Sequence, residues 1–243
     1  MTPTFAIIAE GPSDFVVLRH ILAGYFADPN IVVTQLQPVV DDTSGLSSPG
    51  GWYEVFRYIG SEKFGGAFER GDFVIVHIDT DVCEEPHFNV SRRHPDGRTR
   101  TADEMLSLTT RRLIHEIGPT VYDRFQSRIF FAVAIESIEC WLLPLYYTDN
   151  HRAKQVHCIN PLNAALSARE GFSIDVNHKQ PKYYFKIVKR LKRKDIDACS
   201  PHNIGFAGLV KNLAKIHESS HGTPPPPLSS DGTSGPTPEP SPE

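Results

Sequence analysis

Cysteine, methionine and tryptophan are scarce in this chain: 4, 2 and 2 respectively in 243 residues. The cysteines, Cys83, Cys140, Cys158 and Cys199, lie far apart and form no C-x-x-C, which argues against both a zinc ribbon and a disulfide framework. No apolar run approaches the roughly 18 residues that a membrane span requires. Acidic Glu10 interrupts the first apolar stretch, so the N-terminal segment lacks the shape of a signal peptide. The expectation is a soluble cytoplasmic protein with no membrane partner. An excess of positive charge is also missing. The formal net charge is −4 and the pI is near 6.3, so no global basic field attracts nucleic acid, and any such binding rests on local patches. The 11 histidines show no H-E-x-x-H or related ligand spacing, and they read as scattered surface or core residues.

What is present suits one sizeable globular unit: 40% of residues are hydrophobic and 22% charged. From about Ser219 the composition changes to Pro, Ser, Gly and Thr with almost no apolar content. Such a segment cannot bury enough surface to offset its ordering entropy, so 219–243 is expected to be a disordered tail. Before it, apolar runs bounded by turn residues predict strands over 5–9, 31–40, 73–78 and 129–135. Helical spacing predicts helices over 13–26, 52–68, 102–117, 137–147, 161–170, 181–193 and 204–217, with polar loops at 41–51 and 84–100. Strands alternating with helices predict an α/β fold, a mostly parallel four-stranded sheet flanked by helices. Residues 1–150 read as that domain and 151–218 as a helical extension packed on it.

The run Val74-Ile75-Val76-His77-Ile78 is driven into the core and ends in Asp79-Thr80-Asp81. In an extended segment, residues i and i+2 point to the same side, so the two carboxylates can converge on one cation. Two like charges buried together raise each other's pKa, and a metal ion relieves that cost. Ligands of parallel sheets bind at the carboxyl ends of strands. Three of the four expected strands end in acids: Glu10, then Asp79 and Asp81, then Glu136.

Glu10-Gly11-Pro12-Ser13-Asp14 after a first strand, with Asp79-Thr80-Asp81 later, resembles the TOPRIM domain, the metal-binding fold of topoisomerases, bacterial primases and OLD-type nucleases. The segment Ile135-Glu136-Ser137-Ile138-Glu139-Cys140-Trp141-Leu142-Leu143 is similar to one found in small bacterial TOPRIM-like proteins of uncharacterised function (the DUF4276 type), as are Tyr184-x-Lys186 and Phe206-x-x-Leu209. The resemblance spans roughly 4–217. It implies a TOPRIM-like (Rossmann-like) fold and Mg²⁺ or Mn²⁺ held by Glu10, Asp14, Asp79, Asp81, Glu136 and Glu139. It implies Glu10 as general acid/base with Asp79 and Asp81, and Lys182 or Lys186 as the cation beside a scissile phosphate. No nucleophilic-tyrosine, zinc-binding or polymerase-core region accompanies the motif, so the implied reaction is phosphodiester hydrolysis on DNA or RNA, in the manner of a bacterial defence effector.

Other readings stand beside these. Asp favours strand-end turns, and Glu10, Asp14, Glu136 and Glu139 suit helix N-termini without any catalysis. Trp141, Leu142, Leu143 and His77 read as structural. The run Lys189–Lys194 is the best local nucleic-acid patch, and also what a solvated helix end looks like. Arg92, Arg93, Arg98 and Arg100 in the polar loop are candidates to contact phosphates or to close over a substrate. Asp79-Thr80-Asp81-Val82 also fits a HAD-like phosphatase with Asp79 as nucleophile, or a D-x-D glycosyltransferase using Mn²⁺. A non-catalytic TOPRIM-like scaffold partnering an ATPase is the main alternative.

Overall fold

Three apolar, buried strands and a more polar, half-buried edge strand make a sheet with helices on both sides. The structure, a computed structural model, describes residues 2–39 and 48–221. The strands are β1 (Phe5–Ile8), β2 (Val33–Gln37), β3 (Phe73–Asp79) and β4 (Ile129–Ala134), all parallel in the order β2-β1-β3-β4. The helices are α1 (Pro12–Tyr25), α2 (Trp52–Ile59), α3 (Lys63–Gly66), α4 (Ala102–Ile117), α5 (Pro119–Phe125), α6 (Glu139–Leu142), α7 (Ile159–Glu170), α8 (Pro181–Val188), α9 (Arg193–Cys199) and α10 (Ile204–His221).

The chain leaves β1 towards β2 in one direction and then crosses back past β1 to β3. Crossovers of one hand, the rule for parallel strands, then require the two connections to lie on opposite faces. The cores show that separation. One face packs Phe5, Ile7 and Ile75 with Val17, Leu18, Ile21 and Leu22 of α1 and with residues of α6 to α10. The other packs Ala6, Ile8, Val74, Val76 and Ile78 with Val55, Phe56 and Ile59 of α2 and Met105 and Leu113 of α4. Alternation along β3 therefore sends Ile75, and by the same parity His77 and Asp79, towards the α1 side. The reversal of direction between β1 and β3 opens a crevice at their carboxyl ends, where Glu10 and Asp79 sit.

Helix starts follow local chemistry. Pro12 opens α1, and the Asp14 carboxylate accepts from the Gly11 N–H at 2.8 Å. Thr101 and Glu104 close a reciprocal capping box at α4, with distances of 3.3 and 2.8 Å. Where the expected helices differ, punctuation explains it. The 52–68 helix breaks at Gly60-Ser61 into α2 and α3. The 137–147 helix shrinks to α6 followed by a 3₁₀ turn at Leu143–Leu145, because Pro144 lacks a donor. The 181–193 helix stops at Val188, since Asp195 caps a new helix by accepting from Lys192 N–H at 2.9 Å. Helix α5 was not expected. Strand β2 is shorter than 31–40 at both ends, while α10 runs on to His221, past the expected start of the tail. Residue 40 of the expected second strand, 41–47 of the polar loop and 222–243 of the tail lie outside the described residues.

The spacing argued against a disulfide framework; Cys83 and Cys199 are free, but Cys140 and Cys158 are bonded, with Cα atoms 5.1 Å apart. The β4–α6 turn and the start of α7 are separated by 18 residues in sequence, and the fold folds them back on each other. Sequence spacing alone does not show that return.

Helix α10 lies directly on β4. A Cβ at Gly205 would collide with the Val133 carbonyl oxygen, whereas one at Gly208 meets nothing within 4 Å. Gly205→Ala is therefore expected to destabilise the protein by about 1–3 kcal/mol through overpacking. Gly208→Ala is expected to stabilise it by about 0.5–1 kcal/mol through helix propensity. Urea unfolding of both variants checks the contrast, and equal effects would contradict this packing.

Candidate metal centre

Two strand ends are tied together by a carboxylate. Glu10 Oε1 accepts from the backbone N–H of Asp79 at 2.7 Å. Asp79 Oδ1 in turn accepts from Ile138 N–H at 3.1 Å, which joins the end of β3 to the turn after β4. Thr80 N–H donates to the carbonyls of Ala134 and Glu136, both at 3.1 Å, and Thr80 Oγ1 accepts from Glu136 N–H at 2.7 Å. The carboxyl ends of β1, β3 and β4 thus form one edge, with Asp14 on α1 and Glu139 on α6 facing it. A Cβ at Gly50 would collide with the Glu10 carbonyl, so a glycine lets the chain pass against this edge.

Asp14, Asp79 and Glu139 are buried, Glu10 is partly exposed and Asp81 is exposed. The edge is therefore open on the Glu10–Asp81 side. Burial pushes Glu10 up to about 8, helped by the Asp14 and Asp81 charges. Burial and Glu139 push Asp14 up to about 7. Burial, then Asp14, Glu10 and Glu139, raise Asp79 well above the carboxylate range, and burial also raises Asp81. Glu139 goes the other way. Burial works to raise it, but the Lys179 ammonium, with the Ser137 and Tyr184 hydroxyls, outweighs burial and holds it below its ordinary value. Lys179 Nζ lies 2.9 Å from Glu139 Oε1, which also accepts from the Tyr184 hydroxyl. Burial would lower Lys179, yet Glu139 and Asp79 raise it and keep it charged.

His77 Nε2 approaches Asp79 Oδ1 at 3.6 Å, beyond hydrogen-bonding distance. Burial lowers the imidazole to about 3, so it is neutral and this approach is not an ion pair. Among the described residues, Lys179 is then the one Lys or Arg side chain ion-paired with this carboxylate set.

The structure brings Glu10, Asp14, Asp79, Asp81 and Glu139 to one edge, and it turns Glu136 away. Glu136 has φ of +61°, and its carboxylate faces His157, with Oε1 3.3 Å from Nδ1. Lys186 is not at the edge. Its ammonium lies over the rings of Phe172 and Tyr183, at 4.9 and 5.6 Å, and Lys182 lies over Tyr183 at 5.1 Å. The cation at the carboxylates is Lys179, in a polar loop where no periodicity or motif marks it. Tyr184 was legible only as part of a resemblance. The loop arginines hold their own loop. Arg92 Nη2 donates to the carbonyls of Thr80 and Asp81 at 2.8 and 2.6 Å, Arg93 to Gly97 O at 3.0 Å and Arg100 to Ser91 O at 3.1 Å, while Arg98 pairs with Asp96 at 2.9 Å.

The donor set is hard oxygen, the chemistry Mg²⁺ and Mn²⁺ prefer. Glu139 Oε2 is buried without a hydrogen bond of good geometry. These features fit a divalent cation, which would relieve the mutual repulsion that raises these groups. Spacing is the counterweight. Among the described residues, the group of three ligand atoms lying within 4.8 Å of one another is Glu136, Cys140 and Cys158, not three of these carboxylates. No protein-family model, curated protein or solved structure matches the chain.

The raised acids predict a pH dependence. Unfolded, Glu10 and Asp14 ionise near 4.5 and 3.8; folded, they hold protons to about 8 and about 7. Between those limits the folded state binds more protons, so stability present below about pH 4 is lost as pH rises through 7 to 8. In chelator, the melting temperature is expected to fall between pH 5.5 and 8.5 by several degrees, and less so in Glu10→Gln. Mn²⁺ competes with those protons, so its stabilisation grows over the same range. Differential scanning calorimetry in both conditions checks this, and a flat profile would contradict it.

Proposed function

We propose that this chain is a metal-dependent nuclease of TOPRIM-like architecture, hydrolysing phosphodiester bonds in DNA or RNA. The observation that carries the proposal is the open edge where Glu10, Asp14, Asp79, Asp81 and Glu139 meet with Lys179 as their paired cation. A bound Mg²⁺ or Mn²⁺ would supply Lewis-acid activation of the phosphate and of water. Asp79, Asp81 and Asp14, with Glu139, are the residues to hold it. Glu10, at the partly exposed rim and pushed up to about 8, is poised near neutral pH to take the proton of the attacking water. Lys179 stays charged and offsets negative charge developing on the phosphate, the role expected of Lys182 or Lys186.

A polyanionic substrate needs cations, and the net charge of −4 supplies none globally. A groove of about 590 Å³ between α1 and the α8–α9 connection is lined by Arg19, His20, Lys189, Lys192, Arg193 and Lys194. Helices α1 and α8 both start at the acidic edge, and this groove flanks their far ends. That arrangement supports phosphate-backbone contacts beyond the reacting group. Among the described residues no helix is long and apolar enough to cross a membrane.

One observation favours a second reading, a non-catalytic scaffold that partners an ATPase, for instance in a defence system. Glu10, Asp14 and Asp79 each already accept a backbone N–H, which is work a structural carboxylate does. The nuclease reading predicts Mn²⁺-dependent cleavage of single- or double-stranded DNA or RNA, reduced about 100-fold or more in both Glu10→Gln and Asp79→Asn. Gel assays with the four substrates check it. Metal binding without any cleavage favours the scaffold. Turnover of p-nitrophenyl phosphate, lost in Asp79→Asn and kept in Glu10→Gln, favours a phosphatase.

A further inference from the structure

Glu136, displaced from the acidic edge, belongs to a different cluster. One of its carboxylate oxygens and the sulfurs of Cys140 and Cys158 lie within 4.8 Å of one another, the sulfurs joined as a disulfide. His157 stands beside Glu136. Its Nδ1 is 3.3 Å from Glu136 Oε1, and its backbone N–H donates to Glu136 Oε2. The four residues come from two places, the turn from β4 into α6 and the start of α7. Glu136 and His157 both hold positive φ, +61° and +54°, a conformation costly to residues other than glycine. The Glu136 carboxylate is turned towards the sulfurs, and the exposed His157 ring stands on its outer side, one carboxylate away from them.

Two thiolates, an imidazole and a carboxylate make a four-donor set suited to Zn²⁺ and similar borderline-soft ions, and unlike the hard-oxygen edge nearby. We infer that Cys140, Cys158, Glu136 and His157 form a redox-gated site for such a divalent cation. It is closed while the disulfide stands and open once a dithiol reductant cleaves it. The step balances. The reductant gives two electrons and two protons and becomes a disulfide; the Cys140–Cys158 S–S bond breaks to two thiols. Cation binding then releases both thiol protons. Cys158 occupies the N-cap of α7, a helix of 12 residues whose amide end favours a negative sulfur. Both sulfurs are buried, but the Glu136 side chain is 14% exposed and that of His157 81% exposed. The route in is from the His157 side. A reducing cytoplasm would keep the pair as dithiol. This site is independent of any nuclease activity.

The test is Co²⁺ titration of the full chain before and after treatment with a phosphine reductant, with Co²⁺ standing in for Zn²⁺. After reduction, one Co²⁺ per chain beyond any held at the carboxylate edge is expected, with a thiolate-to-cobalt charge-transfer band and tetrahedral d–d absorption, both displaced by Zn²⁺. Neither band appears before reduction. Cys158→Ser abolishes the charge-transfer band. Because that variant also removes the disulfide, His157→Ala and Glu136→Gln, which keep both sulfurs, provide the second arm. Each is expected to weaken Co²⁺ binding about 10-fold or more while circular dichroism shows the parent fold. The inference is overturned by the same number of Co²⁺ bound before and after reduction, by no thiolate band after reduction, or by both ligand variants giving that band at the parent's Co²⁺ concentration.

Discussion

The hydrogen bond from Asp79 N–H to Glu10 Oε1, at 2.7 Å, sits where the sheet reverses direction. Strands β1 and β3 are neighbours only because the chain visits β2 first and then returns on the opposite face. The reversal brings two acidic strand ends into contact, and the backbone donor makes that contact tolerable for one carboxylate oxygen. Asp14 and Asp79 likewise accept one backbone N–H each, from Gly11 and Ile138, which neutralises none of their charge. Asp14 and Glu139 join from helices on the same face as Asp79, and each further charge raises its neighbours. Lys179 answers Glu139 alone at ion-pairing distance. The edge is thus held together by backbone donors and one ammonium while carrying more negative charge than they offset. That imbalance is a physical reason for it to take up protons or a divalent cation.

The end of β4 works differently. Thr80 binds the backbone of Glu136 through both its amide and its hydroxyl, so the turn is fixed to the acidic edge. Yet the positive φ of Glu136 rotates its carboxylate to His157 and the cysteine pair. Two neighbouring groups of ligands therefore differ in chemistry, hard oxygens on one side and sulfur with nitrogen on the other. They share a backbone link without sharing a side chain.

How much of this was legible in the sequence varies by element. Strands β1 and β3 were plain, because a strand buried on both faces must be apolar throughout. Helix α4 matched its expected limits of 102–117, fixed by Thr101 and Glu104 at one end and Gly118 at the other. The convergence of Glu10 with Asp79 and Asp81 followed from strand ends alone. Asp14 and Glu139 were expected there only through the resemblance, since a helix start by itself accounts for an acid at either position. Lys179 did not, because its loop carries no periodicity, and its position depends on where α8 docks against α1. The orientation of Glu136 turns on one backbone dihedral that no residue pattern announces. The cysteine pairing was hidden for a related reason: only the return of α7 onto the β4–α6 turn brings Cys158 to Cys140.

The account rests on a divalent cation binding at the β1–β3 carboxyl edge. Soaking crystals of the full chain in Mn²⁺ and collecting anomalous diffraction tests this most directly. A peak among Glu10, Asp79 and Asp81, lost in crystals of Asp79→Asn, is the predicted result. Well-ordered carboxylates at that edge with no anomalous peak, at a Mn²⁺ concentration that saturates exposed acids elsewhere, would contradict it.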